Sequence, residues 1–294
     1  MASMWVITRP SMEVGKVAVL GGGYLGERFA EYFSADRLAV DVGDLEALRN
    51  LLIKTKPQIV INAAAKTRTN ELERPEHQAE AFRVNVGGAA NSSLLAGELG
   101  FRLVQLSTGM QFDGFGPEGK GWDEEATPNP GSYYAWTKAW ADSLLKPFAI
   151  QSRILIVRLS LPISNVSNPR NLLNKLPRFS SALDAQSSMS TVEDLLSATR
   201  QLLEQEATGI YNVVNPGTIS FWEIVRMMVE ERMLPADHPA VSVTKETFDR
   251  TVSAAGGAYQ PSTFLNTDKL QAAGIRLPEI HLAIRNCIRN FQQP

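Results

Sequence analysis

"VAVLGGGYLGERF", residues 17–29, sets four apolar residues against a glycine cluster and then a stretch with helical periodicity. The apolar run reads as a buried strand, and "YLGERFAEYF" (24–33) as the helix that follows it. Between them Gly21, Gly23 and Gly26 form G-x-G-x-x-G. One glycine permits the tight turn, one lets the backbone approach a pyrophosphate, and the third brings helix against strand. The helix N-terminus then turns its free N–H groups and the positive end of its dipole toward the phosphates. Tyr24 and Leu25, inside the motif, join the three glycines as candidate cofactor contacts. The motif gains force from its place as the first strand–helix turn of an alternating chain.

The alternation continues outward from there. "RLAVDV" (37–42) reads as a strand, and "DLEALRNLLIKTK" (44–56) as a helix with Asp44 as its N-cap. "QIVINAAA" (58–65) is the next strand. A long helix over about 76–99 ends at Gly100, a natural C′ residue. "RLVQLST" (102–108), a Gly/Pro-rich loop (114–130), a helix over 131–145 and the strand "RILIVRLS" (153–160) complete the series. Strands separated by helices predict an α/β fold with a Rossmann-type doubly wound parallel sheet. The expected dinucleotide-binding domain spans 15–161. From 162 on, prolines such as Pro162, Pro169, Pro177 and Pro216 break the pattern, with helices near 192–205, 220–233 and 279–291. Residues 162–294 therefore read mainly as a smaller C-terminal substrate-binding lobe, with "IYNVVN" (210–215) returning a strand to the sheet. Residues 1–14 read as a loose leader without an apolar signal region.

An acid at the end of the second strand would hold the ribose 2′-hydroxyl of NAD. Asp41 and Asp44 are the acids there, although Asp44 serves equally well as a helix cap only. No arginine directly follows the strand, while Arg28 and Arg49 are near enough in sequence to meet a 2′-phosphate. NAD and NADP both stay open.

"QLSTGMQFDG" (105–114) ends a strand with Ser107 and Thr108, and "GSYYAWTKAWADSLL" (131–145) sets Tyr134 and Lys138 four apart on one helix face. A phenol has an ordinary pKa of about 10. A neighbouring ammonium favours the phenolate, so Lys138 is expected to lower the Tyr134 pKa. The tuned phenol gives a proton to the oxygen of a carbonyl that receives hydride, and Thr108 orients that oxygen. Tyr133 points elsewhere on the helix. Trp136 and Trp140 read as core or subunit contacts, so a monomer or a homodimer is expected.

With 29 Lys+Arg against 31 Asp+Glu, net charge is −2, which gives no basic field for nucleic acid. No apolar run reaches the roughly 20 residues of a membrane span. Cys287 stands alone, and His77, His238 and His281 are widely separated, so no metal site is expected. A cytoplasmic protein acting on small molecules is the default.

The chain resembles the extended short-chain dehydrogenase/reductases, and within them the dTDP-4-dehydrorhamnose reductase group. The resemblance runs through "LGGGYLG", "VINAAAKT", "FRVNVGG", "LSTGMQFDG", "YAWTK", "STVEDLL" and "FLNTDKLQAAGI". It is stronger for the bifunctional 3,5-epimerase/4-reductases of UDP-rhamnose synthesis, through "EEATPNPGSYYAWTKA" and "PISNVSNPRNLLNKLPRF". It implies reduction, with NADPH or NADH, of the C4 carbonyl of a nucleotide-linked 4-keto-6-deoxyhexose. Thr108, Tyr134 and Lys138 take the catalytic roles. Ala63, Ala64 and Ala65 line the cofactor, and Asn85 supports the site lysine through backbone and water. Met110, Asn168, Arg170, Asn171, Lys175 and Gln260 fall at substrate positions.

Three departures accompany the resemblance. Leu20 stands where the family's first glycine falls, so Gly21 makes the tight turn. Met110 replaces a cysteine thought to work with the lysine matching Lys175 in epimerisation, and a thioether cannot exchange protons. Gln260 replaces an arginine near the substrate. The alternatives are a bifunctional epimerase/reductase with another acid/base, and a non-catalytic dinucleotide-binding regulatory subunit.

Overall fold

The structure is a computed structural model that describes residues 15–292; the leader expected over 1–14 lies outside the described residues. β1 (Val17–Leu20) is buried throughout and pairs in parallel with β2 (Asp36–Leu38) on one side and β3 (Ile59–Asn62) on the other. β4 (Arg102–Thr108) and β5 (Ile154–Leu159) extend the sheet beyond β3. β6 (Ser181–Asp184) lies apart, and β7 (Gly209–Asn212) closes the sheet beside β5. The order β2-β1-β3-β4-β5-β7 is parallel at every pair.

Successive side chains leave opposite faces of a strand, and here both faces are covered. Val19, Ile61, Leu106 and Val157 pack toward the helices Tyr24–Phe33 and Val192–Glu204. Leu20, Val60, Leu103 and Ile156 pack toward Leu45–Thr55, Gly88–Leu99 and Tyr133–Leu145. That two-sided burial explains why the strands read as unbroken apolar runs. A third cluster, built around Ile163, Leu173, Met189, Ile224, Met228 and Ile284, forms the core of the C-terminal part. There β6 pairs in parallel with β8 (Val241–Thr244). The helix Val192–Glu204, which the sequence assigns to the lobe, packs on the main sheet instead.

The second strand is shorter than the expected 37–42. Asp41 Oδ1 accepts from Gly43 N at 2.9 Å and Asp44 N donates to Asp41 O at 3.1 Å, a local turn that competes with the ladder. The expected 76–99 helix is three pieces. Pro75–Phe82 and Gly88–Leu99 flank a π-helical turn at Arg83–Gly87, and Gly100 ends the last piece at φ +77°. Among the described residues no helix is long and apolar enough to cross a membrane.

Candidate active site

From β1 the sheet grows to β2 on one side and then, through β3, to the other, so the strand order reverses between β1 and β3; open α/β sheets form their ligand crevice above such a point. Gly21 leaves β1 at φ +103°, a left-handed conformation that favours glycine. A Cβ built there would come 2.7 Å from Ala64 N, so Ala63 and Ala64 lie directly on the turn. Ala63 N also donates to Leu20 O at 2.9 Å. A Cβ on Gly26 would run into the Gly21 carbonyl oxygen. Gly23 starts the helix with no side chain capping it, leaving first-turn N–H groups available. This cradle fits a dinucleotide diphosphate. Leu25 is partly buried against the core, and Tyr24 departs from expectation. The residue is 8% exposed within the apolar cluster, and its hydroxyl lies toward Ser164 and Glu193. A helix that packs on the sheet must bury one face, and Tyr24 falls on it.

Thr108 ends β4 at the same carboxyl edge. Its hydroxyl accepts from Met110 N at 3.2 Å, and the Tyr134 phenol lies close to it. Ser132 caps the helix that carries Tyr134, accepting from Ala135 N. Lys138, one turn further, is 3% exposed and donates to Leu106 O at 2.6 Å. The three candidate catalytic residues therefore converge. The expected electrostatics do not hold. Burial pushes the Tyr134 phenol up to about 12, against a lowering by the neighbouring Thr108 hydroxyl. Burial brings Lys138 down to about 8, with the Asp142 carboxylate opposing the change. Lys138 is buried and Tyr134 half-buried, and that loss of hydration outweighs the attraction the sequence led us to expect.

Beneath this helix, Arg158 of β5 donates through Nε to Asp142 Oδ2 at 2.8 Å, and Gln111 Nε2 donates to the same oxygen at 2.8 Å. Asp142 and Arg158 are both about 2% exposed. The sequence offers one signal for this pair: an arginine inside the apolar strand "RILIVRLS" needs an anion.

Asn85 sits in the π-helical turn. Its Oδ1 accepts from Lys66 N at 2.7 Å, and its Nδ2 donates to Lys66 O and to Thr137 Oγ1. It thus ties the segment after β3 to the helix of Tyr134.

The acids meant for the ribose are both occupied. Asp44 caps its helix, accepting from Ala47 N at 3.0 Å. Asp41 pairs with Arg83 Nη2 at 2.8 Å, which holds its carboxyl below the usual range. An arginine that no sequence motif marks stands at the glycines. Arg37 in β2 places Nη2 3.9 Å from the Cβ position of Gly22.

The expected substrate residues separate into groups. Asn171 is fully buried and holds Ser164 and Val166 by their backbone; it is scaffold, not a groove contact. Asn168 Oδ1 accepts from Arg170 N at 2.9 Å, organising the same turn. Arg170 reaches the glycine loop, with Nη1 3.1 Å from the Cβ position of Gly23. Lys175 is exposed on the next turn, its pKa lowered by partial burial and by Arg170. Met110 and Gln260 are partly buried.

Fold and site define a Rossmann-type chain with a glycine cradle at its first strand–helix turn and a hydroxyl–phenol–ammonium set on the same sheet edge. The chain belongs to the family described as RmlD substrate binding domain, whose model matches residues 22–293. It is 35% identical over 199 residues to a bifunctional dTDP-4-dehydrorhamnose 3,5-epimerase/dTDP-4-dehydrorhamnose reductase of Arabidopsis thaliana. That match covers 65% of this chain and 62% of the plant protein, so the chain spans less than two thirds of that relative. In fold it is similar to the L780 UDP-rhamnose synthase of Acanthamoeba polyphaga mimivirus, at a TM-score of 0.84 and 23% identity, over 94% of this chain and 99% of that one. It is also similar to a dTDP-4-dehydrorhamnose reductase from Bacillus anthracis in complex with NADP, at 0.79 and 21%, over 94% and 98%.

Proposed function

We propose that the protein reduces the C4 carbonyl of a nucleotide-linked 4-keto-6-deoxyhexose with NADPH. The observation that carries this reading is the convergence of Thr108, Tyr134 and Lys138 beside the glycine cradle. The bound nicotinamide supplies the hydride. Thr108 hydrogen-bonds the carbonyl oxygen and aligns it. Tyr134, protonated at neutral pH, donates its proton to that oxygen as negative charge develops there. Lys138, with a pKa of about 8, is cationic at neutral pH and stabilises the phenolate left behind. Gly21, Gly23 and Gly26 hold the diphosphate, and Ala63, Ala64 and Ala65 line the opposite wall.

NADPH is favoured over NADH by two observations: Asp41 is engaged by Arg83, and Arg37 offers a guanidinium for the 2′-phosphate. The names of the family's relatives support the sugar class. With a thioether at Met110, reduction is the reading we adopt over the bifunctional one. A homodimer is supported by the exposed aromatic face of Phe82, Trp136 and Trp140 beside Leu144. A cytoplasmic location goes with the nucleotide-linked substrate.

Stopped-flow oxidation of NADPH with UDP- and dTDP-linked 4-keto-6-deoxyglucose, followed by assignment of product stereochemistry, tests the proposal. Cofactor binding with no turnover of any keto-sugar nucleotide would turn the reading toward the regulatory subunit.

A further inference from the structure

We propose that Arg170, carried by the C-terminal part of the chain, is a ligand of the cofactor diphosphate rather than of the sugar nucleotide. The inference rests on the Gly21–Gly26 turn being the dinucleotide site. Arg170 Nη1 stands 3.1 Å from the Cβ position of Gly23, the residue at which the helix Tyr24–Phe33 begins. Among the described residues its guanidinium makes no hydrogen bond or ion pair; the bond it makes is through its backbone N–H, to Asn168 Oδ1. A cation set against the positive end of a helix is repelled. The arrangement becomes favourable once an anion lies between the two, accepting from first-turn N–H groups on one side and from the guanidinium on the other.

The arginine is presented by a fixed turn. Asn168 N donates to Asn174 Oδ1 at 3.0 Å, Asn171 N donates to Asn168 O at 2.8 Å, and buried Asn171 anchors the whole to Ser164. A guanidinium fork matches two phosphate oxygens at once. Arg170 thus closes over the diphosphate from the other part of the chain, and the dinucleotide bridges the two.

The test is direct titration of the full-length protein, reading nicotinamide fluorescence for NADPH and NADH and calorimetry for uridine diphosphate. Arg170→Ala is expected to weaken NADPH and NADH by the same factor, about tenfold, and to leave uridine diphosphate binding unchanged. Arg170→Lys keeps the charge without the fork and is expected to fall between. Dinucleotide affinity unchanged in both variants, or a loss confined to uridine diphosphate, overturns the proposal. A wild-type protein that binds neither dinucleotide overturns the underlying cofactor reading instead, so the two failures are told apart.

Discussion

Lys138 Nζ donates to the carbonyl oxygen of Leu106 at 2.6 Å, tying the helix Tyr133–Leu145 to the strand that ends two residues later at Thr108. A charged donor in a buried position makes this a strong, directional bond. It sets the helix against the strand so that Tyr134, one turn earlier, meets the Thr108 hydroxyl. The lysine acts as a structural tether as well as a charge.

Replacing Tyr134 by Phe removes the proton donor and little else. Turnover with a keto-sugar nucleotide is expected to fall by roughly 10²- to 10⁴-fold, with the NADPH dissociation constant within about twofold of wild type. Steady-state kinetics beside a fluorescence titration checks this; full turnover in the variant removes Tyr134 from the mechanism.

Lys138 makes stability depend on pH with a definite sign. Its folded value of about 8 lies below the ordinary 10.5. Between those values the unfolded chain binds more protons at this position, so stability rises with pH. Wild type should therefore gain on Lys138→Met as pH climbs from about 8 to 10.5, with a constant difference below that window. Tyr134 runs the other way: raised from 10.0 to about 12, its contribution is complete below about pH 10 and is lost as pH rises through 12. Urea midpoints of wild type, Lys138→Met and Tyr134→Phe across pH separate the two, and parallel curves would contradict the assignment.

Asp142→Ala leaves Arg158 buried without its anion. Breaking such a pair costs about 3–5 kcal/mol, which equilibrium denaturation would register. Adding Arg158→Met should recover part of the loss; no recovery would mean that the penalty is not the orphaned charge.

Gly26→Ala drives a methyl into the Gly21 carbonyl oxygen, where backbone must move. A loss of at least about 2 kcal/mol is expected. Gly87→Ala is the contrast, since a Cβ there meets nothing within 4 Å; it should be neutral or stabilise by about 0.5 kcal/mol. Equal melting temperatures for the two variants would refute the close-packed turn.

Arg37→Ala should weaken NADPH by about tenfold and leave NADH unchanged, because only the 2′-phosphate is lost as a partner. Loss on both dinucleotides would place Arg37 on the diphosphate or the fold rather than on the ribose.

By itself the sequence determined the alternation of strands and helices, the glycine turn, and the order of Thr108, Tyr134 and Lys138. Each is a local signal: apolar periodicity, left-handed backbone, and helical spacing between residues four apart. It could not determine which candidate side chains face the cleft. Tyr24 looks like a cofactor contact until helix packing buries it, and Asn171 looks like a substrate contact until its amide is spent on Ser164 and Val166. Arg83 withdraws Asp41 from 42 residues away, and Arg170 crosses from the C-terminal part to Gly23. Only the tertiary structure decided these, because a side chain's partners and its hydration depend on neighbours brought near by folding. The pKa of Tyr134 follows the same rule: spacing supplies the ammonium, but the depth at which the chain buries both groups sets the sign of the shift.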